Sequence, residues 1–143
     1  MKSIHLQLFS ICFMLLLIFS SCKKTAGEGG TSFIKGKIYG KYFDKSYYTL
    51  CDSGYAPEVD VYIIYGDQPT YGDKQKTSYD GTYEFKYLRD GSYKVYSYSQ
   101  DTSGHWNFHL NIYAPRLAVI KNIEITKRKQ TVEVPDINVI IKK

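Results

Sequence analysis

Residues 77–95 read Thr77-Ser78-Tyr79-Asp80-Gly81-Thr82-Tyr83-Glu84-Phe85-Lys86-Tyr87-Leu88-Arg89-Asp90-Gly91-Ser92-Tyr93-Lys94-Val95. Two Asp-Gly pairs bracket a run in which Tyr83, Phe85 and Tyr87 alternate with Thr82, Glu84 and Lys86. A period of two is the mark of a half-buried strand. Asp-Gly is a tight-turn signal, because glycine tolerates positive φ and the aspartate can cap the turn. The segment therefore predicts a hairpin strand over 82–87, entered by one turn and left by another.

The same pattern extends in both directions. Strands are expected at 33–42, 59–65, near 74–79, at 92–100, 117–126 and 131–141. In the first, Ile34, Gly36 and Ile38 oppose Lys35, Lys37 and Tyr39. In 117–126, Ala118, Ile120, Asn122 and Glu124 oppose Val119, Lys121, Ile123 and Ile125. The 15 tyrosines and recurrent Val, Ile and Thr suit a pleated surface. No stretch has a capped 3.6-residue apolar period. The expected fold is all-β: a single antiparallel two-sheet sandwich of about seven strands over 33–143.

The stretch from Ile34 to Val95 resembles the carboxypeptidase regulatory-like module, a transthyretin-like sandwich. Gly36-Lys37-Ile38-Tyr39, Pro57, Val59-Asp60-Val61-Tyr62-Ile63, the 77–85 run, Leu88 and Asp90-Gly91-Ser92-Tyr93-Lys94-Val95 carry the likeness. It implies the fold and little about function, since such modules serve as stalks, binding units and pilin subunits. Hydroxyisourate hydrolases of similar fold finish in Tyr-Arg-Gly-Ser, whereas this chain finishes Ile140-Ile141-Lys142-Lys143. Collagen-adhesin domains carry a lysine isopeptide bond, but Lys35 and Lys37 alternate with the apolar face and point outward.

Residues 1–21 hold one charge, Lys2, and the unbroken apolar run 11–19. A bilayer span needs ~20 such residues, so this segment reads as an export signal. It ends at Ser20-Ser21-Cys22 and resembles the signal of a bacterial lipoprotein, which implies that Cys22 is lipidated. Phe19 and Ser21 depart from the usual Leu and Gly or Ala of that pattern. Lys23 is not the aspartate associated with inner-membrane retention, so the outer membrane is expected. Residues 22–32 read as the lipidated cysteine and a flexible linker, with a coil reach of roughly 17 Å.

The net charge of +5 is modest, and export argues against nucleic acid. With Cys12 in the signal and Cys22 acylated, Cys51 has no partner for an internal disulfide. Alternation of strand direction puts the loops 43–58 and 101–116 at the end away from the tether. Those loops hold Tyr47, Tyr48, Tyr55, His105, Trp106 and His109, the expected ligand-binding residues.

No catalytic, cofactor or metal site emerges. His105 and His109 are about 13 Å apart on a strand, too far for one metal. Asp60, Asp67, Asp73 and Asp80 lack the spacing of a calcium loop. Cys51 has no nearby basic motif to activate it. Tyr62, Tyr96 and Tyr98 fall on outward faces; such rings stack on sugars and equally form cross-strand ladders with no ligand. The expected function is a membrane-anchored, non-enzymatic binding or scaffold lipoprotein of the cell envelope, whose partners are the membrane and a glycan or envelope protein. The alternatives are an accessory carbohydrate-binding lipoprotein, and a pilin-like subunit that lends strand 33–42 or 131–141 to a neighbour.

Overall fold

The computed structural model describes residues 25–44, 49–101 and 115–142. The described residues form nine strands: β1 (Glu28–Phe43), β2 (Leu50–Tyr55), β3 (Asp60–Tyr65), β4 (Asp73–Lys76), β5 (Thr82–Leu88), β6 (Gly91–Gln100), β7 (Arg116–Ile125), β8 (Thr131–Glu133) and β9 (Ile137–Lys142). They make two sheets that pack face to face, the expected sandwich.

β1 is the spine of the five-stranded sheet. One flank pairs antiparallel with β5 over its first half and with β2 over its second. The other flank pairs parallel with β8 and then β9. The sheet is therefore mixed rather than purely antiparallel. The second sheet runs β4-β3-β6-β7, antiparallel throughout.

The added strands have local causes. The segment expected over 131–141 is interrupted at Val134-Pro135-Asp136, because proline has no N–H for the ladder; it becomes β8 and β9. β2 lies inside the expected loop 43–58, where it completes the flank of β1 that β5 leaves uncovered. β1 begins at Glu28, five residues inside the expected linker, because its first residues pair with Leu88. A side chain at Gly30 would overlap the Leu88 carbonyl, so the close approach requires glycine there.

The core is built as the alternation dictates. Ile34, Ile38, Val61, Ile63, Phe85 and Val95 are all at most 1% exposed. Tyr87 departs from the pattern. It is 64% exposed, and Leu88 takes the inward place at 1%. Its φ of 57° marks a left-handed bulge that turns the strand before the second Asp-Gly.

Two buried tyrosines differ in their hydroxyls. The Tyr93 hydroxyl accepts from the Gly27 N–H at 3.1 Å and donates to the Arg89 carbonyl at 2.6 Å. The Arg89 N–H donates to the Gly27 carbonyl at 2.9 Å, so the chain is fixed from Gly27 onward. The Tyr83 hydroxyl is buried without a hydrogen-bond partner among the described residues, and burial holds its pKa above the ordinary tyrosine value. The same substitution should therefore act in opposite directions. Tyr93→Phe orphans two main-chain groups and is expected to destabilise by about 1–3 kcal/mol, whereas Tyr83→Phe removes an unpaid desolvation and is expected to stabilise by about 1 kcal/mol. Urea unfolding of the two variants checks both signs.

The ends sort as expected from strand direction. A side chain at Gly91 would meet Ala26, and the Lys129 N–H donates to the Thr31 hydroxyl at 3.1 Å. The chain thus enters β1 beside the 90–91 and 127–130 turns. Phe43 pairs with Lys142, and Gln100 with Arg116, at the far end.

Candidate functional site

Four tyrosines converge on the outer face of the four-stranded sheet. β3 supplies Tyr62 and β6 supplies Tyr96 and Tyr98, whose side chains alternate against the buried Val61, Ile63 and Val95. Tyr62 and Tyr96 are register partners, so their rings meet across the strands. They stack with centroids 5.1 Å apart and planes 14° apart. Tyr98 stands edge-on to both, at 5.6 Å from Tyr62 and 5.5 Å from Tyr96.

Tyr71 arrives from the loop between β3 and β4 and packs edge-on to Tyr62 at 5.1 Å. The repeated Tyr65-Gly66-Asp67 and Tyr71-Gly72-Asp73 shape this loop. The Gly66 N–H donates to Ser92 at 2.8 Å and the Gly72 N–H to Ile63 at 2.8 Å. A side chain at Gly72 would overlap the Tyr65 ring, so glycine is what lets the loop close and hold Tyr71 over the sheet.

The rings divide into floor and walls. Tyr96 is 8% exposed and forms the floor, while Tyr71 and Tyr98 present 52% and 43% of their surfaces. Beyond Tyr96 on β7, Ile120 extends the apolar area. Burial, then the neighbouring Tyr98, pushes the Tyr96 pKa up to about 12. Burial, then the nearby Asp60, likewise raises Tyr62. Both hydroxyls are therefore neutral donors at ordinary pH.

Polar groups rim the rings. The Lys74 ammonium lies 5.8 Å from the Tyr62 ring centroid and 3.6 Å from Asp60. A cavity of about 200 Å³ opens beside Tyr62 and Tyr98 where β9 meets this sheet; Asp60, Gln100 and Arg116 line it, with Ser97, Ile140 and Ile141 on its inner side. This gives a flat aromatic surface with a carboxylate, an amide and a guanidinium at its margin. Such a set can stack on a ring and hydrogen-bond hydroxyls around it.

The other expected residues lie elsewhere. Tyr47, Tyr48, His105, Trp106, His109 and Cys22 fall outside the described residues. Tyr55 ends β2 on the outer face of the five-stranded sheet, edge-on to Tyr39 at 5.7 Å. The Lys37 ammonium is 4.6 Å from its centroid, and its hydroxyl reaches Asp136 at 3.3 Å. Cys51 is exposed on β2. The four aspartates do not meet. Asp60 faces Lys74, and Asp67 faces Lys94 at 3.9 Å. Asp73 caps the Lys74 N–H at 2.7 Å. Asp80 is held by Ser78, Thr82 and Lys37, which keep its carboxyl well below the usual range. Among the described residues no three His, Cys, Asp or Glu side chains converge as a metal site would require. Lys35 points outward to Glu133 at 3.0 Å.

Sequence reading placed Tyr62, Tyr96 and Tyr98 outward but missed Tyr71, whose role depends on a loop conformation. The only signal was the repeated Tyr-Gly-Asp. No protein-family model and no curated protein matches the chain.

Proposed function

We propose that this chain is a lipid-anchored, non-enzymatic binding module of the cell envelope, and that its tyrosine face takes a glycan. The observation behind the ligand is the four-tyrosine cluster with its polar rim on a rigid sheet. A purely structural ladder would have no use for two rings about half exposed, one of them, Tyr98, beside an open cavity. The anchor rests on the run 11–19 and Ser20-Ser21-Cys22, and the carboxypeptidase regulatory-like likeness fits a module of this kind. The assembly-subunit alternative keeps only its C-terminal strand as a donor, since β1 is paired along both flanks.

The test is binding of the full chain in mild detergent to an array of neutral oligosaccharides. Tyr71→Ala and Tyr98→Ala are each expected to weaken capture about tenfold, which corresponds to ~1.4 kcal/mol. Tyr79→Ala, an isolated and 94% exposed ring on a turn, should leave it unchanged. Absence of capture, or capture indifferent to Tyr71 and Tyr98, would remove the glycan from the proposal.

A further inference from the structure

β7 is the outer strand of its sheet, ten residues long, and no described strand pairs with its free edge. Such an edge offers a row of unsatisfied main-chain donors and acceptors, which proteins usually blunt or cover. This one is also apolar, with Leu117 51% and Ile120 50% exposed. Neither Arg116 nor Glu124 has an ion-pair partner among the described residues.

We infer that β7 pairs antiparallel with β7 of a second copy, about a two-fold axis at Ile120, joining two four-stranded sheets into one of eight. The register follows from symmetry and charge. An axis perpendicular to the sheet keeps the outer faces together, so directly opposed residues must point to the same side. Because side chains alternate, the two residue numbers in each pair then share parity. Centring on Lys121 would set Lys121 against its own copy, and like charges directly opposed destabilise a pair. Centring on Val119 leaves Glu124 beyond the paired strand. Centring on Ile120 sets Ile120 against Ile120, and Arg116 against Glu124 twice, once at each end. Leu117 then opposes Ile123, and Val119 opposes Lys121, whose methylene stem can lie on it. The self-complementary strand thus names its own occupant. The contact is isologous and closes at two copies rather than running on as a fibre. It also brings the two tyrosine faces onto one surface, in the order Tyr96, Ile120, Ile120, Tyr96 across four strands. The pairing stands or falls independently of the glycan.

The test uses the full chain in mild detergent with Cys12, Cys22 and Cys51 replaced by serine. At the axis the opposed Cα atoms should be about 4.5–5.5 Å apart, inside the range of about 4.4–6.8 Å that a disulfide spans. Ile120→Cys is expected to give a covalent dimer under mild oxidation. Leu117→Cys, equally exposed and on the same strand, should not. Arg116→Glu should lower cross-linking through position 120 by about tenfold, and Arg116→Glu with Glu124→Arg should restore it. Equal cross-linking at 117 and 120, none at 120, or a charge-reversed double variant that stays uncoupled would each overturn the pairing. A β-type far-UV spectrum of every variant shows that the strand itself persists.

Discussion

Replacing Phe85 with alanine is expected to cost about 3–5 kcal/mol. Domains of this size hold only about 5–15 kcal/mol in total, so the variant should be close to unfolding at 37 °C. Phe85 is 1% exposed and pairs across β5 and β1 with Ile34, itself fully buried. Its ring lies 6.0 Å from that of Tyr83. Truncation leaves a cavity between two sheets that cannot easily collapse, since β1 is held on both flanks. No covalent tie among the described residues offsets the loss, because Cys51 is free and exposed. For a small domain the urea midpoint should fall on the order of 2 M. Lys86→Ala, one residue along and outward on the same strand, should change the stability by less than about 0.5 kcal/mol. Comparable effects at the two positions would mean that the sheets do not pack through this face.

The contrast between these neighbours shows which parts of the fold a reader of the sequence could see. Alternation in 82–87 put Phe85 inward and Lys86 outward, and the structure agrees. The alternation breaks at Tyr87, and the core place goes to Leu88, which was expected there beside Phe85, Tyr93 and Val95; the left-handed residue that shifts the phase has no signature in side-chain type. β2 was hidden for a related reason. Leu50-Cys51-Asp52-Ser53-Gly54-Tyr55 buries almost nothing and exists through main-chain pairing with β1. Glycines 27, 29 and 30 looked like a tether by composition, yet two of them lie in β1: at Gly30 the Leu88 backbone excludes a side chain, and Gly29 takes a left-handed φ of 91°. Of the candidate site, the three strand tyrosines were legible from their period. Tyr71 was not, since its position depends on how a seven-residue connection folds over Tyr65.

Replacing Cys22 with serine is expected to move the chain from the membrane fraction to the soluble fraction at physiological salt. The proposed anchor is a set of thioether- and amide-linked acyl chains, each buried methylene of which contributes ~0.8 kcal/mol. A hydroxyl cannot accept that linkage, so the whole term is lost at once. The structure sharpens what should remain. With Gly27 fixed by Tyr93 and Arg89, four residues, 23–26, separate the cysteine from the sandwich, five Cα steps that reach at most ~18 Å when extended. An anchor that close would hold Lys127-Arg128-Lys129, the turn tied to Thr31, beside the bilayer surface. Basic residues this close to an anionic leaflet contribute ~1 kcal/mol each and are screened by salt. The serine variant should therefore keep a weak, salt-sensitive association with anionic vesicles at low ionic strength, and lose it in 0.5 M salt, taken as about a 4 Å Debye length. Lys127→Glu with Lys129→Glu should abolish the residue of binding in the variant while leaving the acylated protein in the membrane. A Cys22→Ser chain that still sediments with membranes in high salt would instead mean that the run 11–19 stays in the bilayer uncleaved.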